Sequence, residues 1–245
     1  MKNDEKYGIL FKSAIELREL ICSKKISPVD ITYLTLERIE EINPKTNAFL
    51  TVTADSAIEK AKEVEKKILN RQPVGLLAGI PTSIKDLEPM KGVRQTKGSL
   101  VFKDFIADID QIAVERIKNE DGIILGKTNT PEFTLAGETD NLVYGRTNNP
   151  YNKVRIPGGS SGGAAAIIAS GGSPLDIGSD TGGSIRMPAH FCGITGIKPN
   201  SGRIPRTGHI VNHTMGAVDA LTQNGPMARY VEDLILTLPI LCGPD

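Results

Sequence analysis

The chain has 245 residues with 29 basic and 29 acidic side chains, a formal net charge of +0, so nothing in its charge favours nucleic acid or an anionic membrane as the main partner. Its 39% hydrophobic and 24% charged residues are an ordinary globular composition, long enough for one large α/β domain or two small ones. Cys22, Cys192 and Cys242 are odd in number, widely spaced and form no C-x-x-C, no run approaches the ~20 apolar residues of a membrane span, and the charged start Met1–Lys6 leads into no signal-type stretch; a cytoplasmic protein with reduced thiols and no membrane span is expected.

Ile15, Leu17, Leu20 and Ile21 make the first apolar helical stripe. Ser27-Pro28-Val29-Asp30 then reads as an N-cap, a proline at the first helical position and an acid in the first turn. The helix that follows carries Ile31, Leu34, Leu36 and Ile39, and Asn43-Pro44 is expected to end it. A third helix, about Ala54 to Leu69, is strongly charged and expected on the surface. After Pro73 the pattern changes. Leu76 to Ile84 is a strand-like run that delivers Lys85, Ile112 to Ile117 suggests a helix, and Gly122 to Gly126 a compact buried strand. Ala164 to Ala169 reads as a helix and Leu175 to Gly178 as a strand. Helices alternating with short buried strands predict an α/β fold, a mixed β-sheet core covered by helices. The expected organisation is a helical segment over 1–72 packed on a catalytic core over 73–245, one domain overall.

Glycines crowd between Gly158 and Gly216. Two serines lie in these loops 24 residues apart, Ser160 in Gly158-Gly159-Ser160-Ser161-Gly162-Gly163 and Ser184 in Asp180-Thr181-Gly182-Gly183-Ser184, and Lys85 precedes Ser160 by 75 residues. Glycines let backbone N–H groups and a substrate carbonyl approach closely, which suits a hydroxyl nucleophile and an oxyanion hole. Three chemistries compete for these loops. Gly122 to Thr128 resembles a phosphate-binding loop but is one residue short of G-x-x-x-x-G-K-[ST]. Gly158 to Gly162 satisfies G-x-S-x-G, yet the nucleophile elbow needs a buried strand before it, and Asn152 to Pro157 is polar and proline-terminated. That reading would also draw its base from His190, His209 or His213, each of which reads as an ordinary loop or packed histidine. The third uses a buried lysine: desolvation lowers an ammonium's pKa, so a neutral amine becomes available as base, with a second serine bridging it to the nucleophile. Asp86 opposes that shift only if its carboxylate turns inward.

Ser83-Ile84-Lys85-Asp86, Tyr144 to Pro150, Pro157 to Gly163 and Gly178 to Ala189, with Phe191-Cys192-Gly193 and Gly196-Ile197-Lys198-Pro199 after them, resemble the amidase signature family. The resemblance runs from about residue 14 to the C-terminus. It implies Ser184 as nucleophile, Ser160 as bridging serine after a cis peptide bond, and Lys85 as base. It further implies an oxyanion hole from the amides of Thr181, Gly182, Gly183 and Ser184, with Ser161, Asp180 and Arg186 holding the network, and neither metal nor cofactor. Met187 stands where the amidase-type component of tRNA-dependent amidotransferases carries glutamine, which with Asn224 to Leu234 makes the chain more similar to fatty-acid-amide-hydrolase-like and general amidases. Family members are typically about twice as long, so the resemblance covers their N-terminal half. The expectation is an amidase acting on a small-molecule amide, with a homodimer or a separate C-terminal half as partner; an amidotransferase-like glutaminase and an inactive fragment are the alternatives.

Overall fold

A computed structural model of the chain describes residues 6–209 and 220–244. Helix α1 (Ala14–Cys22) begins at Ser13, whose hydroxyl accepts the Glu16 N–H at 3.1 Å while Glu16 Oε2 accepts the Ser13 N–H at 3.0 Å. This reciprocal cap satisfies two amides that the first turn leaves unpaired. In α2 (Pro28–Thr46) the Ser27 hydroxyl accepts the N–H groups of Val29 and Asp30 at 2.9 and 3.2 Å, as the sequence signals. The helix does not stop at Asn43-Pro44, however. Pro44 sits inside its last turn, where one missing N–H weakens little, and Asn43 takes over: its side chain accepts from Ala48 and Phe49 and donates to the Phe49 carbonyl. Asn47, in the left-handed region at φ 48°, turns the chain out of the helix.

That exit leads into β1 (Phe49–Val52), a four-residue strand the helical reading of the first third does not contain. It is followed by α3 (Ala54–Leu69), which buries Ala57, Ala61, Val64 and Ile68. Its charges are not all solvated: Lys60 and Lys67 reach the nearly buried Asp121 carboxylate at 3.0 and 2.8 Å. The remaining elements are β2 (Pro81–Lys85), α4 (Ile112–Asn119), β3 (Ile123–Thr128), α5 (Gly162–Ala169), β4 (Leu175–Asp180), α6 (Arg186–Cys192), β5 (Thr195–Gly196), β6 (Gln223–Ala228) and α7 (Val231–Leu241). The apolar run from Leu76 starts its strand only at Pro81, because Leu77 and Gly79 donate to the carbonyls of Glu120 and Asp121 in a turn.

The strands form a mixed sheet in the order β1-β3-β2-β4-β6-β5, with β2 parallel to both β3 and β4 and the other pairings antiparallel. Strand side chains alternate between two apolar clusters. Ile84, Ile124, Leu175, Ile177 and Ala228 join the cluster that holds Leu17, Ile117 and Leu241, whereas Ile123, Leu125 and Met227 join the cluster that holds Ile42 and the whole apolar length of α5. By that alternation Ser83, Lys85 and Asp176 face α5. Lys85 ends β2 and Asp180 ends β4, so the chemistry lies at the carboxyl ends of adjacent parallel strands, where open α/β sheets place their sites.

Gly126 marks where the β1–β3 pairing is tightest. It has φ +140°, and a Cβ there would lie 1.9 Å from the Thr51 carbonyl oxygen. Gly126→Ala is expected to lower the unfolding free energy by about 3 kcal/mol, since backbone must move on both strands; urea denaturation measures it.

Candidate active site

Lys85 is fully buried, with its Nζ donating to Ser160 Oγ at 2.7 Å, Ser161 Oγ at 2.9 Å and Ser179 Oγ at 3.0 Å. Burial lowers its pKa from 10.5 to about 7, against the opposing pull of Glu88, Asp176 and Asp180. A substantial share of the amine is therefore neutral near pH 7, able to accept a proton from a hydroxyl already in contact with it. Asp86 does not turn toward it: the carboxylate accepts the Thr96 N–H at 3.0 Å and the Thr96 hydroxyl at 2.5 Å.

Three features shape the loop that carries Ser160 and Ser161. Gly158 has φ +85°, and a Cβ there would lie 2.9 Å from Pro188 Cα. The Gly159–Ser160 peptide bond is cis. Thr139 Oγ1 donates to the Gly158 carbonyl at 2.9 Å and accepts the Gly162 N–H at 3.1 Å, fixing the loop to the first turn of α5. Cys192, buried with its thiol pushed up to about 12, sits under the same loop and donates to the Pro157 carbonyl at 3.5 Å.

The second loop docks on the first through one backbone bond, Ser161 N–H to the Ser184 carbonyl at 3.1 Å. Ser184 is half-buried, and its hydroxyl has no hydrogen-bond partner among the described residues. Asp180 organises this loop. Its carboxylate accepts the Gly183, Ile185 and Arg186 N–H groups at 2.8, 3.0 and 3.3 Å, and both Nε and Nη2 of Arg186 at 3.0 and 2.9 Å. Burial pushes this carboxyl up, but the Arg186 guanidinium and the three amides outweigh it and hold the group at about 2, below its ordinary 3.8. The Gly183 amide, expected to face substrate, is thus directed at Asp180. A carboxylate with a depressed pKa lends stability that is present above its unfolded pKa and fades as pH falls through the folded one. Asp180→Asn is accordingly expected to lower stability by about 2 kcal/mol at pH 7, with the difference from the parent shrinking as pH falls from about 4 to 2; calorimetry across that range checks both.

The structure thus gathers Lys85, Ser160, Ser161, Thr181, Gly182, Gly183, Ser184, Asp180 and Arg186 on two adjoining loops and one strand end. Ser179 completes the lysine's hydroxyl cage and was given no role from sequence, although it stands beside Asp180 in the same motif. The rival chemistries fare worse. The Gly122 to Thr128 run is mostly the buried strand β3, and Lys127 donates to the Glu88 carbonyl instead of facing a loop. Residues 152–157 form no strand ahead of Ser160. His190 is exposed, His209 is buried with Nε2 at 3.4 Å from Glu88 Oε1, and His213 lies outside the described residues. Among the described residues no helix is long and apolar enough to cross a membrane.

The family model for amidases matches residues 30–245. The amidase-type component of the glutamyl-tRNA(Gln) amidotransferase of Carboxydothermus hydrogenoformans is 41% identical over 237 residues, covering 97% of this chain and 48% of that protein. A bacterial aryl acylamidase of the amidase signature family superposes with a TM-score of 0.89 at 38% identity, covering 96% of this chain and 48% of that one. A fatty acid amide hydrolase superposes with a TM-score of 0.90 at 30% identity, covering 96% and 41%. The chain spans about half the length of the curated relatives it matches.

Proposed function

This chain belongs to the amidase signature family, and on that premise we propose that it hydrolyses a carboxylic amide to the acid and an amine or ammonia through a Ser-cisSer-Lys relay. Ser184 Oγ attacks the carbonyl carbon while its proton passes through Ser160 to the Lys85 amine. The amides of Thr181, Gly182 and Ser184 stabilise the oxyanion, a contribution of roughly 3 kcal/mol per donor, while the Gly183 amide keeps the loop shaped through Asp180. As the C–N bond breaks, the proton returns from Lys85 through Ser160 to the leaving nitrogen, and water then hydrolyses the acyl-enzyme. The observation that carries this reading is a fully buried lysine 2.7 Å from the hydroxyl of Ser160.

The base works only when neutral. Because burial sets Lys85 near 7, kcat/KM is expected to fall tenfold per pH unit below about 7 and to level off above it; a pH–rate profile on an uncharged amide tests this. The likeness to the glutamyl-tRNA(Gln) amidotransferase component favours a second reading, glutamine hydrolysis with ammonia passed to a partner. Met187, in place of that branch's glutamine, favours the free-standing amidase. Amine release from simple aryl or alkyl amides by the purified chain, with no partner present, supports the amidase; ammonia release from glutamine alone supports the other.

The relatives are about twice as long, so the reaction is proposed for this segment together with whatever completes its acyl pocket, a further half supplied in cis or as a separate chain, or a second copy. Leu135 and Leu142, 84% and 83% exposed beside the loop that holds Ser160, are the surfaces such a completion would cover.

A further inference from the structure

One fully buried carboxyl lies on the α5 face of the sheet beside Lys85. Asp176, on β4, is the register neighbour of Ser83 on β2, and Thr128 on β3 is the register neighbour of Lys85. Both hydroxyls converge on the same oxygen: Ser83 donates to Asp176 Oδ2 at 2.6 Å and Thr128 at 3.1 Å. The carboxyl therefore spans three strands at the level of the lysine, held by residues that flank it. Its other oxygen, Oδ1, has no hydrogen-bond partner among the described residues.

The remaining charges around Lys85 are otherwise committed. Asp180 is paired with Arg186 and three amides. Glu88 faces Lys127 and His209, and Asp86 faces Lys127 and Thr96. Asp176 faces Lys85 and Lys127, and its hydrogen bonds go to hydroxyls instead of to either ammonium. Isolated charge is costly in so dry a place, so Lys85 and Asp176 favour the two states in which their charges cancel, ammonium with carboxylate or amine with carboxylic acid.

We propose that Asp176 is a positioning residue for amide hydrolysis, the buried counter-charge that sets how tightly Lys85 holds its proton. The proposal rests on the reading of Lys85 as base. The hydroxyls of Ser83 and Thr128 favour the ionised carboxyl, which in turn favours the ammonium; removing the charge should free the amine at lower pH. Burial raises the Asp176 carboxyl to about 7, the same range in which Lys85 titrates.

The test follows Lys85 directly, by NMR titration of the full chain labelled with 13C/15N-lysine, the signal assigned by its loss in Lys85→Met. Asp176→Asn keeps an acceptor for both hydroxyls and is expected to lower the Lys85 midpoint by about one pH unit, with the acid limb of the rate profile moving alongside. Asp176→Glu is expected to leave the midpoint within a few tenths of a unit. An unchanged midpoint in Asp176→Asn, with the amide spectrum preserved, overturns the proposal, because a merely structural acid would lower the rate without moving the titration. If Asp176→Asn does not fold, Thr128→Val serves: it removes one donor to the carboxylate and should lower the Lys85 midpoint by a smaller amount, and no movement overturns the proposal equally. The titration needs no turnover. A shifted midpoint with no acylation of Ser184 would refute the proposed reaction alone, and acylation with an unshifted midpoint would refute the role of Asp176 alone.

Discussion

Ser184→Ala is expected to stop acyl-enzyme formation and cut kcat/KM for an amide by about 10⁵-fold, the scale seen when a covalent nucleophile is removed while the oxyanion donors stay. The geometry explains why the loss should be so large and so clean. Ser184 is half-buried at the turn after β4, and its hydroxyl holds nothing else in place among the described residues. Its backbone carbonyl, which accepts from Ser161, survives the substitution. The variant should therefore melt within a degree or two of the parent. Single-turnover kinetics on an activated ester or anilide should show no burst.

Lys85→Ala is expected to lower kcat/KM by 10³-fold or more, the upper range for loss of a general base whose neighbour is the bridge to the nucleophile. Here the cost is mixed. The three hydroxyls of Ser160, Ser161 and Ser179 lose their common partner and a buried void opens under α5, so stability should fall by about 2 to 4 kcal/mol. Lys85→Met fills the void and separates the two effects: stability should largely return, activity should not. Lys85→Arg should also fail, because a guanidinium is not deprotonated in the working range and cannot accept the proton. In both variants the residual rate should lose the acid limb near pH 7, since the group that titrates there is gone.

Much of the fold was legible because local signals were strong. Ser27-Pro28 fixed the start of α2, the buried runs around Ile123 and Leu175 marked two central strands, and the Gly/Ser loops with Lys85 marked the site. What escaped depended on tertiary context. Pro44 lies in a helix because the Asn43 side chain rescues the backbone beyond it, a compensation that residue type alone does not reveal. β1 and β5 are four and two residues long, too short to show a period, and exist because a longer neighbour offers them a ladder. The direction of the Gly183 amide was hidden for the same reason, since it depends on where the Asp180 carboxylate settles.

The buried acids show the limit most clearly. Asp176 and Glu88 each look like ordinary polar residues in their runs, yet both are fully buried beside Lys85 or Lys127. The alternation of β2 and β4 places Ser83, Lys85 and Asp176 on one face only once the register between the two parallel strands is known. A parallel register is set by a crossover many residues long, which no local window contains.

In the proposed reaction Ser184 attacks and Ser160 only carries the proton. Mass-spectrometric mapping of the adduct formed with a serine-reactive fluorophosphonate tests this division of labour most directly. The adduct is expected on Ser184, on none of the site serines in Ser184→Ala, and slowly but detectably on Ser184 in Ser160→Ala. An adduct that persists in Ser184→Ala and disappears in Ser160→Ala would contradict the assignment and make Ser160 the nucleophile.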